Sequence, residues 1–184
     1  MVKPKTRNIF VLFHLFAASL LAPMFLMVAI TGANYLLGFE GETRETPISL
    51  PVGMTFDAEA DDTEEKVRSV LSTNELPADF DYLRTRPGSI TTRPTSRDYV
   101  QFTEEDGVWS ATLYEPNLQY SFMELHKGHG PQLFRTYQIV AGIVLFLVTI
   151  GGLVVGLMAK TYRRKTIYST IGGTLVFAAL AFLA

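Results

Sequence analysis

The sequence predicts an α+β membrane protein: three transmembrane helices, with a small domain of one helix and an antiparallel sheet between the first and the second. Three observations lead there. Of the 184 residues, 48% are apolar, and they gather in three blocks, 9–37, 136–159 and 166–184, which leaves little for a soluble core once they are placed in lipid. The middle block, TYQIVAGIVLFLVTIGGLVVGLMA, has no Asp, Glu, Lys, Arg or His; as a helix it spans about 36 Å, enough to cross a hydrocarbon core of about 30 Å. All 18 acidic residues lie within 40–124, whereas Lys3, Lys5 and Arg7 precede the first block and Lys160, Arg163, Arg164 and Lys165 separate the second from the third.

Both basic clusters place their ends of the helices in the cytoplasm by the positive-inside rule, so the N-terminus and the 160s loop are expected inside, and residues 40–130 and the C-terminus outside. Between 40 and 135, nine basic residues stand against eighteen acidic ones, a net charge of −9 that argues against nucleic acid as a partner. The acid excess favours cations or simply solvates a small domain. Cysteine is absent, so disulfides, iron–sulfur clusters and thiolate metal sites are excluded.

The first block is longer than the apolar core of a signal peptide and TGANYLLGF after Ile30 offers no clean small-x-small cleavage site, so a retained anchor is expected. Pro23 removes a backbone hydrogen bond and predicts a kink near 19–23. Residues 40–51, EGETRETPISLP, read as an extended linker punctuated by Gly41, Pro47 and Pro51. Asp61 and Glu64 form a capping pair, and Val67, Val70 and Leu71 an apolar stripe, for a helix over about 62–72. Strands are predicted at 80–86 and 89–95 around Pro87-Gly88, and at 98–103 and 108–114 around Asp106-Gly107. Val100 and Phe102 share a face, as do Trp109, Ala111 and Leu113, and Trp109 is the expected core anchor. Residues 118–125 add a strand or drop toward the membrane, and Gly128, Gly130 and Pro131 break the chain before the second span.

Residues 166–184 pair with the second span as an antiparallel hairpin. Gly142, Gly152, Gly156, Gly172 and Gly173 supply small surfaces for close helix packing. A C-terminus without a polar tail is expected in a shielded setting, such as against a partner subunit. Membrane lipids, larger integral membrane subunits or further copies of the chain are the expected partners.

Three histidines are the candidates for chemistry. His14 lies inside the first span near its cytoplasmic edge, and His126 and His129 at the outer edge of the second, roughly 25 Å away in depth. A bis-histidine haem therefore needs a second chain or a partner subunit. His126 and His129, three apart, with Glu124 form a candidate metal site for zinc, copper or iron, set against plain interfacial hydrogen bonding. For His14 the alternatives are a neutral imidazole bonded to a neighbouring helix and a functional group, since a buried ionisable residue in lipid is costly. No catalytic residue is assigned: residues 15–125 contain no histidine for a triad, and no phosphate loop, GxGxxG or HExxH occurs. Three helices are also too few walls for a self-contained transporter.

FHLFAASLLAPMFLMVAITG (13–32) and ELHKGHGPQLFRTYQIVAGIVLFLVTIGGLVVGL (124–157) resemble the paired membrane segments of PepSY-associated transmembrane proteins. His14 with Thr31-Gly32, and Leu125-His126-Lys127-Gly128, match that family's two histidine motifs. EEKVRSVL through DYVQFTEEDGVWSATLYEPN looks like one PepSY-type module. The resemblance implies a bacterial inner-membrane protein with a periplasmic PepSY-like domain, and makes His14 and His126 haem-position residues, as in the larger haem-bearing iron or siderophore reductases of the family. This chain is shorter, with one such module and three spans. The reading is a non-catalytic accessory or assembly subunit without a cofactor of its own, belonging to a larger complex, respiratory or metal-related. The alternative is a haem-binding electron-transfer protein or ferric or siderophore reductase component. Association of such modules with protease regulation gives a third reading.

Overall fold

In the computed structural model, residues 4–57 and 60–183 are described; Lys3 of the basic head and Ala184 lie outside them. The described chain is α+β, with five helices and one antiparallel sheet. It divides into two compact units. One joins the chain up to Met24 with the chain from Ile139 onward, and the other is Phe25–Gln138.

Helix α1 (Pro4–Leu36) runs on through Pro23, α4 is Gln132–Met158 and α5 is Arg163–Phe182. These are the helices long and apolar enough to cross a membrane among the described residues. A helix satisfies its own backbone donors and acceptors, the condition for crossing lipid. In the first unit, Leu21 of α1 and Ala141, Val148 and Gly151 of α4 are buried. The α4–α5 connection is tight: a Cβ added at Gly156 would lie 2.6 Å from Thr166 Oγ1, and Arg163 Nε donates to the Leu157 carbonyl at 2.9 Å. Helix α5 has no buried residue.

The second unit is built on a sheet of order β1-β5-β4-β3-β2, with every neighbouring pair antiparallel. Its strands are β1 (Thr43–Ile48), β2 (Tyr82–Arg86), β3 (Ser89–Arg93), β4 (Tyr99–Glu105) and β5 (Val108–Pro116). Asp106 (φ 51°) and Gly107 (φ 79°) link β4 to β5 with Glu105 opposite Val108, the two-residue turn whose left-handed backbone matches strand twist. One sheet face carries Ile90, Val100, Phe102, Trp109 and Ala111, and α2 (Thr63–Thr73) lays Val67, Val70 and Leu71 against it. Trp109 is a core residue here, edge-on to Phe56 with ring centroids 5.2 Å apart.

Three expectations are corrected. Residues 43–48 are not linker but an edge strand paired with β5; Pro47, lacking an N–H, is tolerated because only one side of β1 is bonded. The Asp61–Glu64 capping pair does not form: the N-cap is Asp62 without a side-chain bond, and the Thr63 hydroxyl instead donates to the Asp57 carbonyl. Residues 118–125 are not a further strand but most of α3 (Leu118–His126), started by Asn117, whose side chain accepts from Tyr120 N at 2.9 Å.

Phe102 has no exposed surface and touches the aromatic side of the core. Phe102→Ala is expected to cost about 3–5 kcal/mol through lost burial and an unfilled cavity. Chemical denaturation of the full-length protein in detergent, followed by Trp109 fluorescence, measures it.

Candidate functional site

The sheet face opposite α2 is polar. Strand alternation puts Tyr82, Arg84 and Arg86 of β2, Ser89, Thr91 and Arg93 of β3, and Tyr99, Gln101 and Thr103 of β4 on that side. Helix α3 crosses part of it. Tyr99 stacks on Tyr114, centroids 5.0 Å apart and planes 6° from parallel, and its hydroxyl meets that of Tyr120 at 3.3 Å. Burial, followed by the Tyr120 hydrogen bond, pushes the Tyr99 phenol well above its ordinary value. A Cβ at Gly41 (φ +92°) would collide with the Tyr120 backbone, so only glycine lets the chain leading into β1 approach α3 this closely.

At the covered end of this face sits Glu124, 6% exposed. Its Oε2 accepts from the Thr95 hydroxyl and lies 2.7 Å from His129 Nδ1 and 3.7 Å from Arg93 Nη1; its Oε1 lies 3.7 Å from Lys127 Nζ. Arg93, 7% exposed, donates to Thr95 Oγ1 at 2.6 Å, and its Nε is buried without a hydrogen-bond partner. Burial lowers the Arg93 pKa, opposed by Glu124. Lys127 shows the reverse balance: burial lowers its pKa, but the Glu40 carboxylate at 2.7 Å and Glu124 raise it above the ordinary lysine value. A cleft of about 300 Å³ opens beside this network, lined among others by Arg84, Arg86, Thr91, Gln101 and Tyr120.

The histidines separate into different settings. His129 joins the Glu124 network, and its carbonyl accepts from Thr95 N at 3.1 Å. His126 points elsewhere: its Nδ1 lies 2.7 Å from Thr31 Oγ1, its ring Cε1 faces Gly32, and its carbonyl accepts from Gln138 Nε2 at 2.9 Å. Glu124, His126 and His129 thus do not converge, and no group of three metal-ligating side chains occurs among the described residues. Helical spacing suggested convergence, but α3 ends at His126 and Gly128 (φ +78°) turns the chain so that His129 comes back onto Glu124.

His14 belongs to the first unit. Its Nδ1 lies 3.1 Å from the Val148 carbonyl of α4, and a Cβ at Gly152 would come within 3.3 Å of its Cε1. A carbonyl only accepts, so Nδ1 carries the proton in this bond. The same holds for His126: the Thr31 hydroxyl donates to the Met27 carbonyl at 2.7 Å and so accepts from Nδ1–H. Gly152 and Gly156 lie at close contacts, whereas a Cβ at Gly142, Gly172 or Gly173 meets nothing within 4 Å.

Sequence reasoning did not single out Arg93, Thr95 or Thr31's bond to His126. The arginine alternation at 84 and 86, continued across the hairpin at 93, was the available signal for a cationic face.

Removing Glu124 leaves the Arg93 cation buried without its counter-charge, so Glu124→Leu is expected to cost about 3–5 kcal/mol. In the double variant Arg93→Met with Glu124→Leu the loss is smaller than the sum of the single losses, a coupling that a double-mutant cycle in thermal denaturation reads directly. Compared with known proteins, the chain matches no family model, no curated protein and no solved structure, so its function is argued from this geometry.

Proposed function

We propose that this chain is a non-catalytic accessory or assembly subunit of a larger complex in a bacterial inner membrane, holding its sheet domain, of PepSY-like character, in the periplasm. One observation carries this reading. Helix α5 buries nothing within its own chain, yet its middle is Ser169, Thr170, Gly172, Gly173 and Thr174 rather than the large aliphatic side chains that fill a lipid-facing surface. Small and hydroxyl-bearing residues are what membrane helices use where another helix comes close. The partner is then an integral membrane subunit, or a second copy of the chain, seated on α5.

A photo-crosslinking amino acid placed at position 173 in native membranes tests the assignment. The expected product is an adduct larger than a dimer of this chain. An adduct of dimer mass alone turns the reading to self-association, and no adduct at 169, 173 or 176 defeats it. Gly172→Leu with Gly173→Leu is expected to weaken the association about ten- to a hundredfold by overpacking the contact.

A second reading, a haem-binding electron-transfer component, is favoured by the two histidine tautomers. His14 and His126 both keep Nδ1 protonated on a fixed acceptor and leave Nε2 without a partner among the described residues. That is the form in which an imidazole ligates iron, with its other nitrogen oriented by a hydrogen bond. The donor chemistry fits, although the two histidines fall in different units, so each would supply one ligand to a group completed by another chain. Haem bound there would supply one-electron transfer. The expected result on the first reading is purified protein without a Soret band; a stoichiometric band that disappears in His14→Ala establishes the second.

A further inference from the structure

We infer that the polar sheet face beside Arg93 is a binding cleft for a phosphate group, presented either on the headgroup of an anionic phospholipid or as a free phosphate. The inference concerns the sheet domain alone and does not rest on what sits against α5.

The cleft's charge is the first argument. Arg84 and Arg86 alternate along β2 and point to the same side as Arg93 on the adjacent strand, with Arg84 paired to Thr91, Arg86 to Ser89 and Tyr82 to Arg93 in register. Neither Arg84 nor Arg86 forms an ion pair among the described residues, although exposed carboxylates are abundant elsewhere in this domain. Arg68 and Arg97 do take such carboxylates, and Arg44 takes Glu115 in a two-bond fork at 2.6 and 2.7 Å. Arg84 and Arg86, both on the cleft wall, are left without such a partner. Arg84 neighbours Arg86 along β2 and, diagonally, Arg93 on β3; like charges so placed repel one another, and an anion entering beside them relieves that repulsion.

The second argument is the state of Arg93. Its guanidinium is 7% exposed and faces the cleft, yet the only carboxylate near it, Glu124, is 3.7 Å away and already accepts from Thr95 and His129. Its Nε has no acceptor. A buried cation that is half-compensated and keeps an unspent donor is costly to the free protein, and an incoming anion offsets that cost.

Size and placement narrow the chemistry. About 300 Å³ admits a phosphate with a glycerol-sized substituent but no helix or strand of a protein partner. The remaining wall is the hydroxyls of Ser89, Thr91, Thr95, Tyr99 and Tyr120, the amide of Gln101, and His129 with the Glu124 carboxylate, whose Oε2 is already engaged by Thr95 and His129. Guanidinium forks with surrounding hydroxyls match the several oxygens of a phosphate, which accept from more directions than a carboxylate does. Only Gly130 and Pro131 separate His129, on the cleft wall, from Gln132, so the cleft lies beside the start of α4.

The test uses the full-length protein in detergent, titrated with inorganic phosphate by calorimetry, and in parallel native mass spectrometry of phosphatidylglycerol retained after reconstitution with mixed phosphatidylcholine and phosphatidylglycerol. Saturable binding of either probe, reduced about tenfold in Arg84→Gln and again in Arg86→Gln, supports the cleft; both positions are at the surface end of the face, so the fold is retained. Retained phosphatidylglycerol without inorganic phosphate binding identifies the lipid headgroup as the source, and the converse identifies free phosphate. Arg97→Gln, which lies off this face, leaves binding unchanged. Absence of both kinds of binding, or binding undiminished in the Arg84→Gln, Arg86→Gln double variant, overturns the inference.

Discussion

The buried Glu124 carboxylate is the joint on which the sheet domain depends. It meets side chains from three places at once: Arg93 and Thr95 at the end of β3, Lys127 at the end of α3, and His129 in the turn that leads into α4. Each of those partners is a donor, and two of them, Arg93 and Thr95, are buried, where a polar group without an acceptor is costly. A single carboxylate thereby fixes the end of α3 against the sheet and the direction in which the chain leaves toward α4. The Thr95 amide bond to the His129 carbonyl repeats the same connection in the backbone.

The two sheet faces show why one side of the domain could be read from residues and the other could not. On the α2 face, alternation of Val100, Phe102, Ala111 and Leu113 and the stripe of Val67, Val70 and Leu71 are apolar signals with fixed periods, and burial follows period. Both hairpin turns were equally legible, since Pro87-Gly88 and Asp106-Gly107 supply the backbone conformations they need. The polar face alternates too, through Arg84 and Arg86 on β2, but that period does not say which polar groups meet. Its organisation comes from contacts distant in sequence, above all Thr95 with Glu124, and nothing local to either residue announces them; the Thr31 bond to His126, away from this face, is equally silent in the sequence.

The missed elements share one cause. Thr43–Ile48 is an edge strand whose side chains are mostly exposed, so it carries no apolar alternation and its pairing with β5 is made by backbone alone. Leu118–His126 has aromatic residues that suit a strand, but its start is set by Asn117 just after Pro116 closes β5, and it buries mainly Met123 and Glu124. In both, a few specific hydrogen bonds decide the backbone state where propensity is indifferent. For α3, a capping asparagine after proline was the signal that outweighs the composition.

The histidines illustrate how the same residue type is put to unlike uses by what stands opposite it. His129 faces a carboxylate and belongs to a charged network, whereas His14 and His126 each face an oxygen that only accepts or is already committed as a donor, together with a glycine that leaves room for the ring. The Val148 carbonyl gives the His14 ring an acceptor on the neighbouring helix, so its Nδ1–H is satisfied without water. The arrangement of Gly152 on α4 opposite His14 is then a consequence of that bond, because Nδ1 reaches the carbonyl one turn away only if no side chain occupies the space against the ring.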